Sequence, residues 1–159
     1  MVDWNAGVSG LCNACKVPDG SFYVGQKGKP SLVVNTGGHL GIGTTNPQTT
    51  LQVKGGFSLN LKTETSCYSM GTSDFGILAD PSVSGKAITL PLAKFAGMVV
   101  YIKNISPSFS VTLKASGTDH IEVGGSLLST YSLGSKYHSV TLIAGGGSPG
   151  VWYILSNAT

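Results

Sequence analysis

Few groups in this chain of 159 residues could do chemistry, and each carries an ordinary structural reading beside the functional one. Cys12 and Cys15 have the C-x-x-C spacing that offers two sulfur ligands to a metal, but a tetrahedral zinc site needs four. Cys67 with one of His39, His120 or His138 would complete such a site only if the fold happened to gather them. No βαβ pattern surrounds the pair, so redox catalysis is disfavoured. Acids are also scarce: Asp3, Asp19, Glu64, Asp74, Asp80, Asp119 and Glu122. Only Asp119-His120-Ile121-Glu122 forms a local cluster. On a strand, His120 and Glu122 share a face while Asp119 points away. Those residues suit a metal or a sugar, and they equally suit a turn that leads into a strand. No nucleophile-elbow motif occurs, and the Gly145-Gly146-Gly147 run lacks the Lys and helix of a phosphate cradle. The residues therefore predict a non-enzymatic protein without a cofactor.

Composition narrows the class further. Charged residues make up 11% of the chain, against roughly 25% in ordinary soluble domains. Gly, Ser and Thr fill more than a third of it. Helical bundles need far more Ala, Glu, Leu and Lys, and disorder does not fit 41% hydrophobic residues with a net charge of +3. All ten basic residues are Lys. Bidentate reading of phosphates and guanines leans on Arg, so a nucleic-acid partner is not expected. No apolar run is long enough for a spanning helix, so membrane insertion is not expected either.

The elements that must position these residues are strands. Residues 1–20 show no sustained period and read as a leader or linker. From Phe22 onward apolar residues alternate, cut by dense turn signals. The pattern predicts strands over 22–24, 31–35, 39–42, 50–53, 57–61, 67–70, 76–78, 87–90, 98–105, 110–114, 120–123, 127–133, 139–144 and 151–156. Between them lie Thr36-Gly37-Gly38, Asn46-Pro47, Gly55-Gly56, Gly124-Gly125 and Gly145–Gly147, where Gly supplies positive φ and Pro fixes φ. An apolar–Thr–Leu echo recurs at 88–90, 111–113 and 140–142. Texture changes near Ser66–Ser73, from short Gly-rich segments to longer apolar strands. This predicts a Gly-rich segment over 21–66 and a second domain over 70–159.

One stretch is familiar. Gly38-His39-Leu40-Gly41-Ile42-Gly43-Thr44-Thr45-Asn46-Pro47-Gln48-Thr49-Thr50-Leu51-Gln52-Val53-Lys54-Gly55-Gly56 resembles a Gly-(Ile/Val)-Gly-Thr-Thr-x-Pro-x-x-x-Leu-x-Val-x-Gly motif. That motif recurs in bacteriophage-type trimeric tail fibres and tail spikes. Pieces of residues 74–155, such as Val100-Tyr101-Ile102-Lys103-Asn104-Ile105 and Trp152-Tyr153-Ile154-Leu155, resemble small β-domains at the ends of such fibres. Many relatives of this kind continue into a self-cleaving helical chaperone; no helical tail follows here.

The resemblance implies an all-β homotrimer: a short intertwined N-terminal β segment, then a β-sandwich-like C-terminal tip domain. Gly41, Ile42, Gly43, Pro47, Leu51 and Val53 would carry the trimer motif. The glycines would let backbones approach a crowded axis, and Leu51 and Val53 would pack against their copies. His39 could meet its copies there. The implied work is attachment to a host cell-surface glycan or protein, beside other fibre or virion proteins, at an extracellular virion surface. Candidate receptor-binding residues are Tyr131, Tyr137, His138, Asp119 and His120, with Phe109 a further exposed aromatic. A monomeric carbohydrate-binding or adhesin domain is the alternative, and a polysaccharide-degrading spike using Asp119 and Glu122 a third reading. Under the fibre reading, low charge should map to subunit contacts and lysines should lie outside them.

Overall fold

A computed structural model describes residues 4–9, 17–26, 29–134 and 137–158. Among them the chain is all-β, with no helix, and it divides into two compact units at Ser58/Leu59.

The N-terminal unit is one five-stranded sheet: β1 (Trp4–Val8), β2 (Phe22–Gln26), β3 (Lys29–Val34), β4 (Leu40–Ile42) and β5 (Leu51–Val53), in that order across the sheet. The first three pairings are antiparallel, but β4 and β5 run parallel. Their link is residues 43–50, shorter than the dozen or so residues that a parallel crossover usually takes. Strand β1 lies inside the stretch expected to be a leader. Trp4, Ala6 and Val8 do alternate, but five residues give too little periodicity to separate from chance.

The C-terminal unit holds eleven strands: β6 (Leu61–Glu64), β7 (Tyr68–Ser69), β8 (Gly76–Ala79), β9 (Ala87–Thr89), β10 (Val99–Asn104), β11 (Val111–Lys114), β12 (His120–Val123), β13 (Ser126–Leu128), β14 (Thr130–Leu133), β15 (Ser139–Gly147) and β16 (Gly150–Ala158). They build a seven-stranded sheet, β13-β12-β16-β15-β10-β8-β6, and a four-stranded sheet, β14-β11-β9-β7. From β6 to β11 the chain alternates between the sheets, and within each sheet the successive strands pair in parallel. The result is coil-like winding, closed by the antiparallel β15–β16 hairpin.

One buried cluster draws on both sheets. Ile77, Val100, Ile102, Ile121, Leu142 and Trp152 come from the larger sheet, and Ile88, Val111, Leu113 and Leu133 from the smaller. Alternation explains the membership: β10 is buried at every second residue, Val100, Ile102 and Asn104. Trp152 is fully buried, and its indole N–H donates to the Pro91 carbonyl at 3.1 Å. Asn104 is fully buried and satisfied: its amide donates to the Phe109 and Gly134 carbonyls at 2.7 Å each and accepts from Ser106 N.

Three expectations shift. The strand expected at 57–61 forms at 61–64 and belongs to the larger sheet, so the C-terminal unit starts earlier than the texture change suggested. The run 127–133 breaks at Ser129 into β13 and β14, which sit in different sheets. The Gly145–Gly147 run is strand rather than loop: a Cβ at Gly145 would lie 2.5 Å from the Tyr153 ring, and at Gly146 3.2 Å from Ala96. The sequence echo also resolves unevenly. Ile88 pairs beside Leu113 across β9 and β11, whereas the copy at 140–142 lies in the other sheet.

Candidate functional site

The fibre-like motif is built around close approach. Gly41 faces the link 43–50, and a Cβ there would lie 2.6 Å from the Thr44 carbonyl oxygen. Gly43 adopts φ +71°, and a Cβ there would lie 2.7 Å from the Lys54 carbonyl. Both glycines thus serve contacts within their own chain. Pro47 is buried, and its carbonyl accepts from Asn35 Nδ2 at 3.3 Å and lies 3.3 Å from His39 Nδ1. Asn35 Oδ1 accepts from Gly37 N and His39 N, closing the Thr36-Gly37-Gly38 turn. Asn35 is therefore the organiser of this region. An Asn before a Gly-rich turn is a readable signal for that role.

This link covers part of one face of the five-stranded sheet. Val17, Val33 and Tyr23 pack on that side, where Ser9 Oγ also donates to the Pro18 carbonyl at 2.6 Å. The other face is different. Strand registers align Val8, Phe22, Val34, Leu40 and Leu51 in one row across all the strands. They align Ala6, Val24, Leu32, Ile42 and Val53 in the next row on the same face. Every residue in both rows is apolar, and none is buried. Val8 is 70% exposed, Leu51 56%, and Phe22 and Ile42 43% each. No lysine interrupts them. Monomeric proteins rarely leave a contiguous apolar face of this kind open to water.

The candidate receptor residues do not converge. Asp119 is buried: Oδ2 accepts from Ala93 N and Oδ1 from Gly150 N, both at 2.7 Å. It ties the loop after β9 to the β15–β16 hairpin and so belongs to the fold. His120 points outward beside Val151, and Glu122 accepts from Gly125 N at the β12–β13 turn. Gly124 and Gly125 both have positive φ there, as a two-residue I′ turn requires. Tyr131 lies half-buried against the core. Tyr137 is exposed, with φ +69°, and the His138 ring closes over Gly134. Phe109 is half-buried. Cys12 and Cys15 lie outside the described residues, while Cys67 is a free exposed thiol. Among the described residues no group of three metal-ligating side chains forms.

Two features escaped the sequence reading. The first is a polar cluster at the edge of the C-terminal core. The Asp74 side chain is 3% exposed, and Lys62 Nζ lies 3.0 Å from its Oδ1. Tyr68 OH donates to Oδ2 at 2.9 Å and Gly71 N at 2.8 Å. Burial acts to raise the Asp74 pKa, but the Gly71 amide, the Lys62 ammonium and the Tyr68 hydroxyl outweigh it and hold the carboxyl below its ordinary value. Hydrogen bonds to Tyr68 and Asp74 raise the Lys62 pKa in turn. The second feature is a cavity of about 310 Å³, lined by loops after β7 and β9 and by Ser116. Phe95, 56% exposed, and Lys94 stand at it, with the ammonium 4.8 Å from the ring centroid.

In comparisons with known proteins, no family model matches this chain and no curated protein is found similar to it.

Proposed function

We propose that this protein is a structural subunit of a phage-type attachment fibre, which self-associates through the N-terminal sheet and presents the C-terminal unit to a cell-surface glycan or protein. One observation carries the reading: the two complete apolar rows of the five-stranded sheet, none of whose residues is buried among the described residues. An apolar partner surface removes that area from water, at about 25 cal/mol per Å². The rows offer no charge and no side-chain hydrogen-bonding group, so a polar partner has nothing to read. A second copy supplies a face of identical character. Ile42, Leu51 and Val53 of the fibre-like motif all lie on it. The threefold number comes from the resemblance of that motif to trimeric fibres; the face itself supports association. Multivalent display of the C-terminal unit then raises avidity for a sparse receptor.

Light scattering coupled to size exclusion tests this at micromolar protein. The reading expects three times the chain mass of 16.3 kDa. A dimer would retain self-association and remove the threefold arrangement. A monomer would overturn the fibre reading and leave a monomeric carbohydrate-binding or adhesin domain.

A further inference from the structure

The cavity of the C-terminal unit has the size and chemistry of a small-ligand site. Its volume of about 310 Å³ is at the lower end of the range of roughly 300–1,000 Å³ for such sites. Met70 and Leu90, both buried, give it an apolar floor. Ser69, Thr72, Thr89 and Ser116 bring side-chain hydroxyls, and among the described residues none of these hydroxyls is taken by a hydrogen bond. Lys94 is the lone charged residue in the lining, and among the described residues no carboxylate pairs with it. Phe95 gives an exposed aromatic ring at the rim.

The loop that carries Lys94 and Phe95 is fixed from beneath. Asp119 Oδ2 holds Ala93 N, the Trp152 indole holds the Pro91 carbonyl, and Gly97 N donates to the Ala144 carbonyl at 2.8 Å. Ala93 is fully buried against Gly150, where a Cβ would lie 2.8 Å from the Ala93 Cβ. The backbone that carries the ring and the ammonium is therefore in place before any ligand arrives, which lowers the ordering cost of binding.

A sugar ring matches this set of groups. Its apolar C–H face suits the Phe95 ring, and its hydroxyls suit the four free Ser and Thr hydroxyls. The unopposed ammonium calls for an anionic substituent. We propose that this pocket binds one acidic sugar unit, with its carboxylate on Lys94, its apolar face on Phe95 and its hydroxyls among Ser69, Thr72, Thr89 and Ser116. Asp119 acts as a positioning residue for the loop. The inference rests on the attachment reading and names the receptor chemistry that the C-terminal unit would take.

The test is a titration of the full chain with glucuronic acid, N-acetylneuraminic acid, neutral galactose and acetate, followed by saturation-transfer NMR. At least one acidic sugar should bind about tenfold tighter than galactose, since the charge-assisted contact adds to the shared ones. Lys94→Gln should abolish that preference, and Phe95→Ala should weaken both sugars about tenfold. Both side chains are exposed, so the variants should melt with the parent. Binding of no sugar, binding indifferent to both variants, or acetate competing as well as the acidic sugars would overturn the proposal. The two readings fail separately: a trimer that ignores sugars sinks this inference alone, and a monomer that binds an acidic sugar sinks the fibre reading alone.

Discussion

Leu51 and Leu127 are equally exposed, 56% each, yet the rows they belong to differ: one is wholly apolar and the other is interrupted by a charge. Leu51 ends a row that is apolar across every strand of the N-terminal sheet. Leu127 lies at the edge of the seven-stranded sheet, in the row Leu127, Glu122, Tyr153, Ile143 and Val99. Another row on that sheet joins Thr63, Leu78, Lys103 and Ser139. Mixed rows of this kind suit water. The units differ inside as well. The C-terminal unit closes a core around Trp152, Ile102 and Leu113, whereas the described core of the N-terminal unit is Val17 and Val33, with Tyr23 against it. A chain segment with so little core must gain stability elsewhere, and the open face is where it can. Exposure of a single residue thus says little; the row it belongs to decides.

Substitutions can break this contrast. The largest effect should come from Leu51→Asp, which puts an unpaired charge into the face proposed to associate, in every copy, at several kcal/mol each. The assembly should fall to monomers by light scattering, while the melting of the C-terminal unit stays put. Trp152→Ala should act the other way round. It removes the largest buried side chain and leaves the Pro91 carbonyl unpaired, costing about 3–5 kcal/mol in the C-terminal unit, read by denaturant unfolding. Association through the N-terminal sheet should survive at temperatures where that unit is still folded.

Smaller effects sharpen the picture. Asp74→Asn should cost about 1–2 kcal/mol at neutral pH, because the carboxylate loses its ion pair and charge-assisted bonds. The sign of the pH dependence follows from the lowered pKa of Asp74 in the fold. Its contribution is complete above the unfolded carboxyl value near 3.8 and is lost as pH falls through the lower folded value. The gap between parent and Asp74→Asn should therefore narrow below about pH 4. Leu127→Ser should change neither mass nor stability by more than about 0.5 kcal/mol. A fall in mass with Leu127→Ser would show that the mixed face also associates.

Much of the strand map was legible because alternation is local. Val100, Ile102 and Leu142 announce their inward face by spacing alone, and Gly124-Gly125 announces its turn. Leu51 and Val53, two residues apart, share the unburied apolar face of the five-stranded sheet, as their spacing predicts. The complete rows were not legible, since they depend on the registers of β1 through β5, set by pairing between distant residues. The parallel winding from β6 to β11 was hidden for the same reason. Asp119 misled because its partners, Ala93 and Gly150, lie 26 and 31 residues away. Phe95 lies in the apolar-rich stretch Pro91-Leu92-Ala93-Lys94-Phe95, yet it is 56% exposed, on a loop held by the Asp119 and Trp152 hydrogen bonds. The close approach of Gly41 to the Thr44 carbonyl and of Gly43 to the Lys54 carbonyl was not legible either, because it depends on how the link 43–50 folds back.

The central claim is that the N-terminal sheet draws its stability from other copies while the C-terminal unit does not. Amide hydrogen exchange of the full chain, measured at dilute and at high protein concentration, tests it most directly. Protection across residues 22–53 should rise with concentration, while protection across residues 76–155 stays constant. Protection over 22–53 that is already high and independent of concentration, in a chain that stays monomeric throughout, would contradict it.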